Sequence, residues 1–230
     1  MTIAAALAEV HTRIERASRE CGRDAATVKL IAVSKEKPPA CIREAYSAGQ
    51  RAFGENYAQE LASKAAELSD LQDLEWHFIG HLQTNKARVV ARHAHFVHTV
   101  DSPVLARELG RRAAKERTSA LPVLIEVNVG GEPQKAGATP GDIAEVMAAV
   151  RAEPALVLRG LMTVPPAADP AASTRVFETL SALRSLHGGP AALPDLSMGM
   201  SGDLEAAIRC GATLVRVGSA IFGPRAVRAG

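Results

Sequence analysis

The order of apolar and polar segments predicts an α/β fold: a single TIM-type (β/α)8 barrel over residues 1–230, preceded by an extra N-terminal helix. Three observations carry that expectation. Eight strand-length apolar segments alternate with segments of helical spacing, which pairs strands in parallel through right-handed crossovers. Eight is the strand number of a closed barrel. The chain, at 230 residues, is long enough for one such domain, and 47% hydrophobic against 3% aromatic residues implies a core of Ala, Val, Leu and Ile. An open doubly wound sheet is the alternative, yet no GxGxxG follows the first strand and no GxxxxGK[ST] occurs.

In chain order, Ile3, Leu7, Val10, Ile14 and Cys21 recur at the spacing of an amphipathic helix that docks on a larger body. The expected strands are 28–34, 51–54, 74–80, 95–100, 121–129, 156–163, 194–198 and 213–217. Between them, Ser102-Pro103 is an N-cap followed by proline at the first helical position, and Thr139-Pro140 repeats the pattern before Ile143 and Met147. Val176, Leu180 and Leu183 share a face in 171–186, and Ser201-Gly202-Asp203 opens a helix with Leu204, Ala207 and Ile208. Segments 130–137 and 165–170 are the expected mobile loops.

Composition narrows the function classes. A net charge of +2 gives no electrostatic reason for nucleic acid or an anionic membrane as partner. The cations Arg107, Arg111, Arg112, Lys115 and Arg117 are interspersed with Glu108 and Glu116, as on a solvated helix face. Cys21, Cys41 and Cys210 form no CxxC pair, which argues for a reducing compartment. Neither a secretory leader nor a membrane-spanning run is evident, so a cytoplasmic location is expected. His77 and His81, then His93, His95 and His98, lack the carboxylate of an HExxH site, and no metal is expected.

Chemistry concentrates at the strand ends. In VKLIAVSKEKPP, 28–39, an apolar run stops at Lys35, and the following prolines are read as forbidding both more strand and an immediate helix. An amine half-buried at a strand tip loses hydration, which favours its neutral, nucleophilic form; a surface lysine is the plain alternative. Barrel sites lie at the C-terminal strand ends, often with a phosphate held after strands seven and eight. There, Met198-Gly199-Met200-Ser201-Gly202 and Val217-Gly218-Ser219 offer backbone N–H groups and hydroxyls, with Ser201 expected at a helix N-terminus. Alternation puts Leu214 and Arg216 on one face of strand eight, either the interior or the helix side. Lysine, phosphate cradle and a cation facing a ring nitrogen together point to pyridoxal 5′-phosphate. An arginine there discourages ring protonation and mutes carbanion chemistry.

Several ordered blocks then become recognisable: IAVSKEKP at 31–38, AGQRAFGENYAQE at 48–60, WHFIGHLQTNK at 76–86, VNVGGEPQKAG at 127–137, GLMTVPP at 160–166, LSMGMSGDLEAAI at 196–208 and VRVGSAIFG at 215–223. Through them nearly the whole chain resembles the pyridoxal phosphate homeostasis proteins, whose barrel is similar to the N-terminal domain of alanine racemase and to fold-type III pyridoxal phosphate proteins. The resemblance implies Lys35 as the Schiff-base lysine, Asn56 as a cofactor contact, Arg216 as partner of the ring nitrogen, and Ser201, Gly218 and Ser219 as the phosphate site. Family members often have threonine where this chain has Ser219, which keeps the hydroxyl. Lys37, just before Pro38, is the lesser candidate for the covalent lysine. The implied function is storage or delivery of the cofactor to pyridoxal phosphate-dependent apoenzymes by a monomer, with no robust turnover. The alternative is an amino acid racemase in which Lys35 moves one proton and Tyr57 or His77 the other.

Overall fold

The computed structural model describes residues 1–132, 135–166 and 169–224. Its strands are β1 Lys29–Val33, β2 Ala52–Glu55, β3 Glu75–Phe78, β4 Phe96–Val100, β5 Leu121–Glu126, β6 Leu156–Met162, β7 Asp195–Ser197 and β8 Leu214–Val217, each within its expected apolar run except β2, which extends one residue past 51–54. All pair in parallel with their sequence neighbours, and β1 returns to β8 through Lys29↔Leu214 and Ile31↔Arg216, closing the barrel. The expected segments 74–80 and 121–129 overrun their strands. Past β3 the chain turns where Gly80 lies against the Asn56 backbone; a Cβ at Gly80 would fall 2.0 Å from the Asn56 carbonyl oxygen.

Around the strands run α1 Ile3–Glu20, α2 Pro39–Ser47, α3 Ala58–Glu67, α4 Ala87–His93, α5 Pro103–Glu116, α6 Ile143–Arg151, α7 Pro170–Leu186, α8 Gly189–Ala192, α9 Leu204–Arg209 and α10 Ser219–Phe222. The extra helix α1 is capped by Thr2 and buries Leu7, Val10, Ile14 and Ala17. It packs on α9 and α10, and Arg13 reaches Glu205 at 2.7 Å and the Ser201 carbonyl at 3.0 Å. Ser102 caps α5 as its sequence predicts, with Oγ accepting from Leu105 N–H at 3.3 Å. Along α7, Val176 and Leu180 are buried and Leu183 is half-buried.

Three local expectations are corrected. Prolines 38 and 39 do not delay a helix: α2 begins at Pro39, because proline suits the first helical position, where its missing N–H has no intrahelical acceptor to lose. Thr139 does not cap α6. Its hydroxyl donates to Asp142 Oδ2 at 2.6 Å within a turn, and the helix starts at Ile143 after Asp142. Ser201 does not stand at the helix N-terminus either, since α9 starts at Leu204 and Asp203 holds the cap position. The expected mobile loops include residues 133–134 and 167–168, which lie outside the described residues.

Two cores result. The larger lies between strands and helices. The smaller fills the barrel's interior with Ile31, Ala52, Leu124, Met162 and Leu214, packed by Phe96. Of these, the buried Ile, Leu and Met side chains each contribute roughly 1.5–3 kcal/mol. Above this apolar floor the interior turns polar, and Arg216, one alternation beyond Leu214, faces inward at 4% exposure. No described helix is long and apolar enough to cross a membrane.

Candidate functional site

At the C-terminal mouth of the barrel is a cavity of about 410 Å³ whose wall includes Lys35, Asn56, Ser201, Arg216, Gly218 and Ser219, together with Lys37, Val33, Ile79, Val164, Met200, Gly202 and Gly223. All six residues singled out from the sequence are therefore brought together.

Lys35 sits half-buried in the turn that leaves β1. Lys37 N–H donates to the Ser34 carbonyl at 3.0 Å across that turn, and Glu36 takes a left-handed φ of 61°. A residue other than glycine holds that conformation only when its surroundings require it. Here α3 supplies the requirement. Lys64 Nζ donates to the Ser34 carbonyl, Glu55 Oε1 and Glu60 Oε1, each at 2.7 Å, while Glu36 N–H donates to Glu60 Oε1 at 2.6 Å. Ser34 Oγ donates to Glu55 Oε1 at 2.6 Å. Burial pushes the Glu55 carboxyl up, and Lys64 and Ser34 oppose that shift. Lys37 lies in the same wall, with Nζ donating to the carbonyls of Phe222 and Pro224 at 2.8 and 2.9 Å.

Asn56 follows β2, and its buried Oδ1 has no hydrogen-bond partner among the described residues. Such an oxygen is costly unless something else donates to it. At the other end Gly199, with φ 94°, swings the chain from β7 into the Ser201 turn; a Cβ there would meet that of Ala207 at 2.5 Å. Ser219 Oγ donates to Ser201 Oγ at 3.1 Å, and Ala220 N–H reaches the same oxygen at 3.4 Å. Two hydroxyls thus meet beside the Gly218 backbone.

Arg216 spends donors on Ser197 Oγ at 2.6 Å and the Thr163 carbonyl at 2.9 Å while also lining the cavity. Burial lowers its pKa to about 10, still well above neutrality, so it remains a cation and a donor. Glu126, at the end of β5, is pushed up to about 7 by burial and by the nearby Asp101. His77 and His98 are buried in the interior, and burial lowers both.

Ser34, Glu55 and Lys64, which hold the lysine turn, and Ser197 and Thr163, which hold the arginine, were not singled out from the sequence. Strand alternation puts Ser197 on one face with Asp195 without saying whether that face is the interior; nothing local points to Lys64, whose bonds depend on how α3 packs.

The amino-acid sequence matches the family described as "Alanine racemase, N-terminal domain" over residues 6–226. It is 50% identical over 229 residues to a pyridoxal phosphate homeostasis protein of Pseudomonas aeruginosa, covering 97% of this chain and 96% of that one. Its identity to the protein of that name from Escherichia coli is 43%, covering 97% of each. Among solved structures, PipY of Synechococcus elongatus with pyridoxal phosphate bound is 38% identical, with a TM-score of 0.84 over 96% of this chain and all of that one. Alanine racemase of Corynebacterium glutamicum, 20% identical with a TM-score of 0.65, shares the fold; this chain covers 62% of it.

Proposed function

Since the chain belongs to the pyridoxal phosphate homeostasis proteins, within the alanine racemase N-terminal domain family, we propose that it binds pyridoxal 5′-phosphate in the cavity at the barrel mouth and keeps it for delivery rather than for turnover. The observation that carries this reading is the meeting, in one cavity wall, of a half-buried strand-end lysine, a buried amide oxygen with no donor among the described residues, and a buried cation. When bound, the cofactor supplies an aldehyde that condenses with an amine and a ring that withdraws electrons.

Lys35 is the amine for a Schiff base, held by bonds to the residues on either side of it, Lys64 to the Ser34 carbonyl and Glu60 to the Glu36 N–H. Ser201, Ser219 and the Gly218 backbone form the end that accepts phosphate, and Asn56 Oδ1 accepts a hydrogen bond donated by the ligand. Arg216 donates at the ring nitrogen without giving up its proton, so the ring stays a weak electron sink. Proton movement at carbon also needs a second base. Tyr57 is 55% exposed, and Tyr46 is bonded to Asp73 elsewhere on the surface. These features support a carrier without turnover, and we propose that it hands cofactor to apoenzymes as a monomer in the cytoplasm.

The test is absorbance of the protein with added pyridoxal phosphate, followed by borohydride trapping and peptide mapping. A visible imine band with the reduced adduct on Lys35, both abolished in Lys35→Ala, is expected. An unchanged band in that variant, or an adduct placed elsewhere in the unaltered protein, overturns the assignment. Single amino acid enantiomers incubated in deuterated water should gain no deuterium at the α-carbon at a useful rate; rapid labelling would establish a racemase instead.

A further inference from the structure

Side chains that the binding reading leaves unused form one file through the barrel interior. Arg216 Nη1 donates to Ser197 Oγ at 2.6 Å, Ser197 Oγ lies 2.9 Å from His98 Nδ1, and His98 Nε2 lies 2.9 Å from His77 Nδ1. His77 Nε2 in turn lies 3.5 Å from Glu75 Oε2, a carboxylate that also meets Lys29 at the opposite end of the barrel. At that distance, without hydrogen-bond alignment, the last link is electrostatic. Ser197, His98 and His77 are at most 1% exposed, whereas the Glu75 side chain is 42% exposed.

Proton accounting selects one direction for this file. Arg216 can only donate, so Ser197 Oγ accepts from it and has one proton of its own to place. Given to His98 Nδ1, that proton leaves His98 protonated on Nε2, donating to His77 Nδ1. His77 then carries its proton on Nε2, toward Glu75. The reverse arrangement would aim an unprotonated nitrogen at a carboxylate and deprive the Ser197 hydroxyl of its acceptor. Burial keeps both imidazoles neutral, and His77 with Lys29 holds the Glu75 carboxyl down to about 2.

We infer that Glu75, His77, His98 and Ser197 are positioning residues that set the orientation of the Arg216 guanidinium from the far end of the barrel. The functional consequence rests on the reading that Arg216 meets the cofactor's ring nitrogen; the proton pattern belongs to the protein alone. Glu126 and Asp203 also act on the guanidinium through space, and a change at Glu75 leaves both in place.

Nitrogen-15 spectra of the imidazole rings at neutral pH, recorded without cofactor, test the pattern directly. Both rings are expected as neutral Nε2–H tautomers with ring protons that exchange slowly with water. Glu75→Gln keeps the shape, removes the charge and should mix the tautomers; Ser197→Ala cuts the file beside Arg216. In protein loaded with pyridoxal phosphate, both variants should shift the pH midpoint of the visible band and lose cofactor about fivefold faster, the equivalent of one ordinary hydrogen bond. Neither position lines the cavity, so no lost ligand contact would account for such shifts. Nδ1–H tautomers or an imidazolium in the unaltered protein would overturn the inference, and so would band titration and retention unchanged in both variants. Protein that takes up no cofactor overturns the binding reading instead, and the spectra of the unloaded protein then decide the inference.

Discussion

Glu126 is buried at the end of β5 with Oε2 unpartnered among the described residues, and it keeps a proton that a solvated glutamate would have lost. Its pKa rises from 4.5 to about 7 on folding, so the unfolded chain releases this proton first. Stability therefore falls as pH climbs between those values, and the penalty is complete above the upper one. Glu126→Gln should stabilise the protein at pH 8 by up to about 3 kcal/mol and change little at pH 4, measured by urea unfolding at both values. A burial penalty of this kind was not legible in the sequence, where Glu126 is one polar residue at the end of an apolar run. Lys35 was legible, because an abrupt stop of a strand at a lysine is a local pattern. Ser201 was expected at a helix N-terminus and instead lies in the turn before it, since the Asp203 that holds the cap position stands two residues further on.

One helix fixes the geometry of the turn after β1. Through Lys64, α3 joins the Ser34 carbonyl to Glu55 and Glu60 in a nearly dry environment, with Lys64 4% and Glu55 0% exposed. Removing one partner of such a pair strands the other's charge. Lys64→Met is expected to cost about 3–5 kcal/mol in unfolding free energy, with part of that loss recovered when Glu55→Gln is added. Chemical denaturation of the single and double variants measures both effects. At this scale the sequence was most informative: parallel strands buried on both faces read as apolar runs, and Ser102-Pro103 marks a helix start by local bonding alone. Thr139-Pro140 carries the same local signal and opens a turn instead, because the Thr139 hydroxyl is drawn to Asp142 before the helix begins.

Across the whole molecule, two neutral imidazoles buried in the barrel bias stability against acid. In the unfolded chain they take up protons around their ordinary value of 6.5, while the folded interior resists. Stability should fall as pH drops below that value, and His77→Gln combined with His98→Gln should flatten the profile between pH 6.5 and 5 in thermal melts. The eightfold alternation was readable along the chain, yet the interior file was not. His98 and Ser197 are 99 residues apart in sequence, and only closure of the ring brings β4 across to β7. That closure occurs between β1 and β8, and the cavity straddles the seam, with Lys35 hanging from one lip and Ser219 from the other. A chain whose last strand has not yet docked has no pocket to offer. Any molecule gripped by both lips is therefore a clasp, resisting the unzipping of the same joint that created its berth.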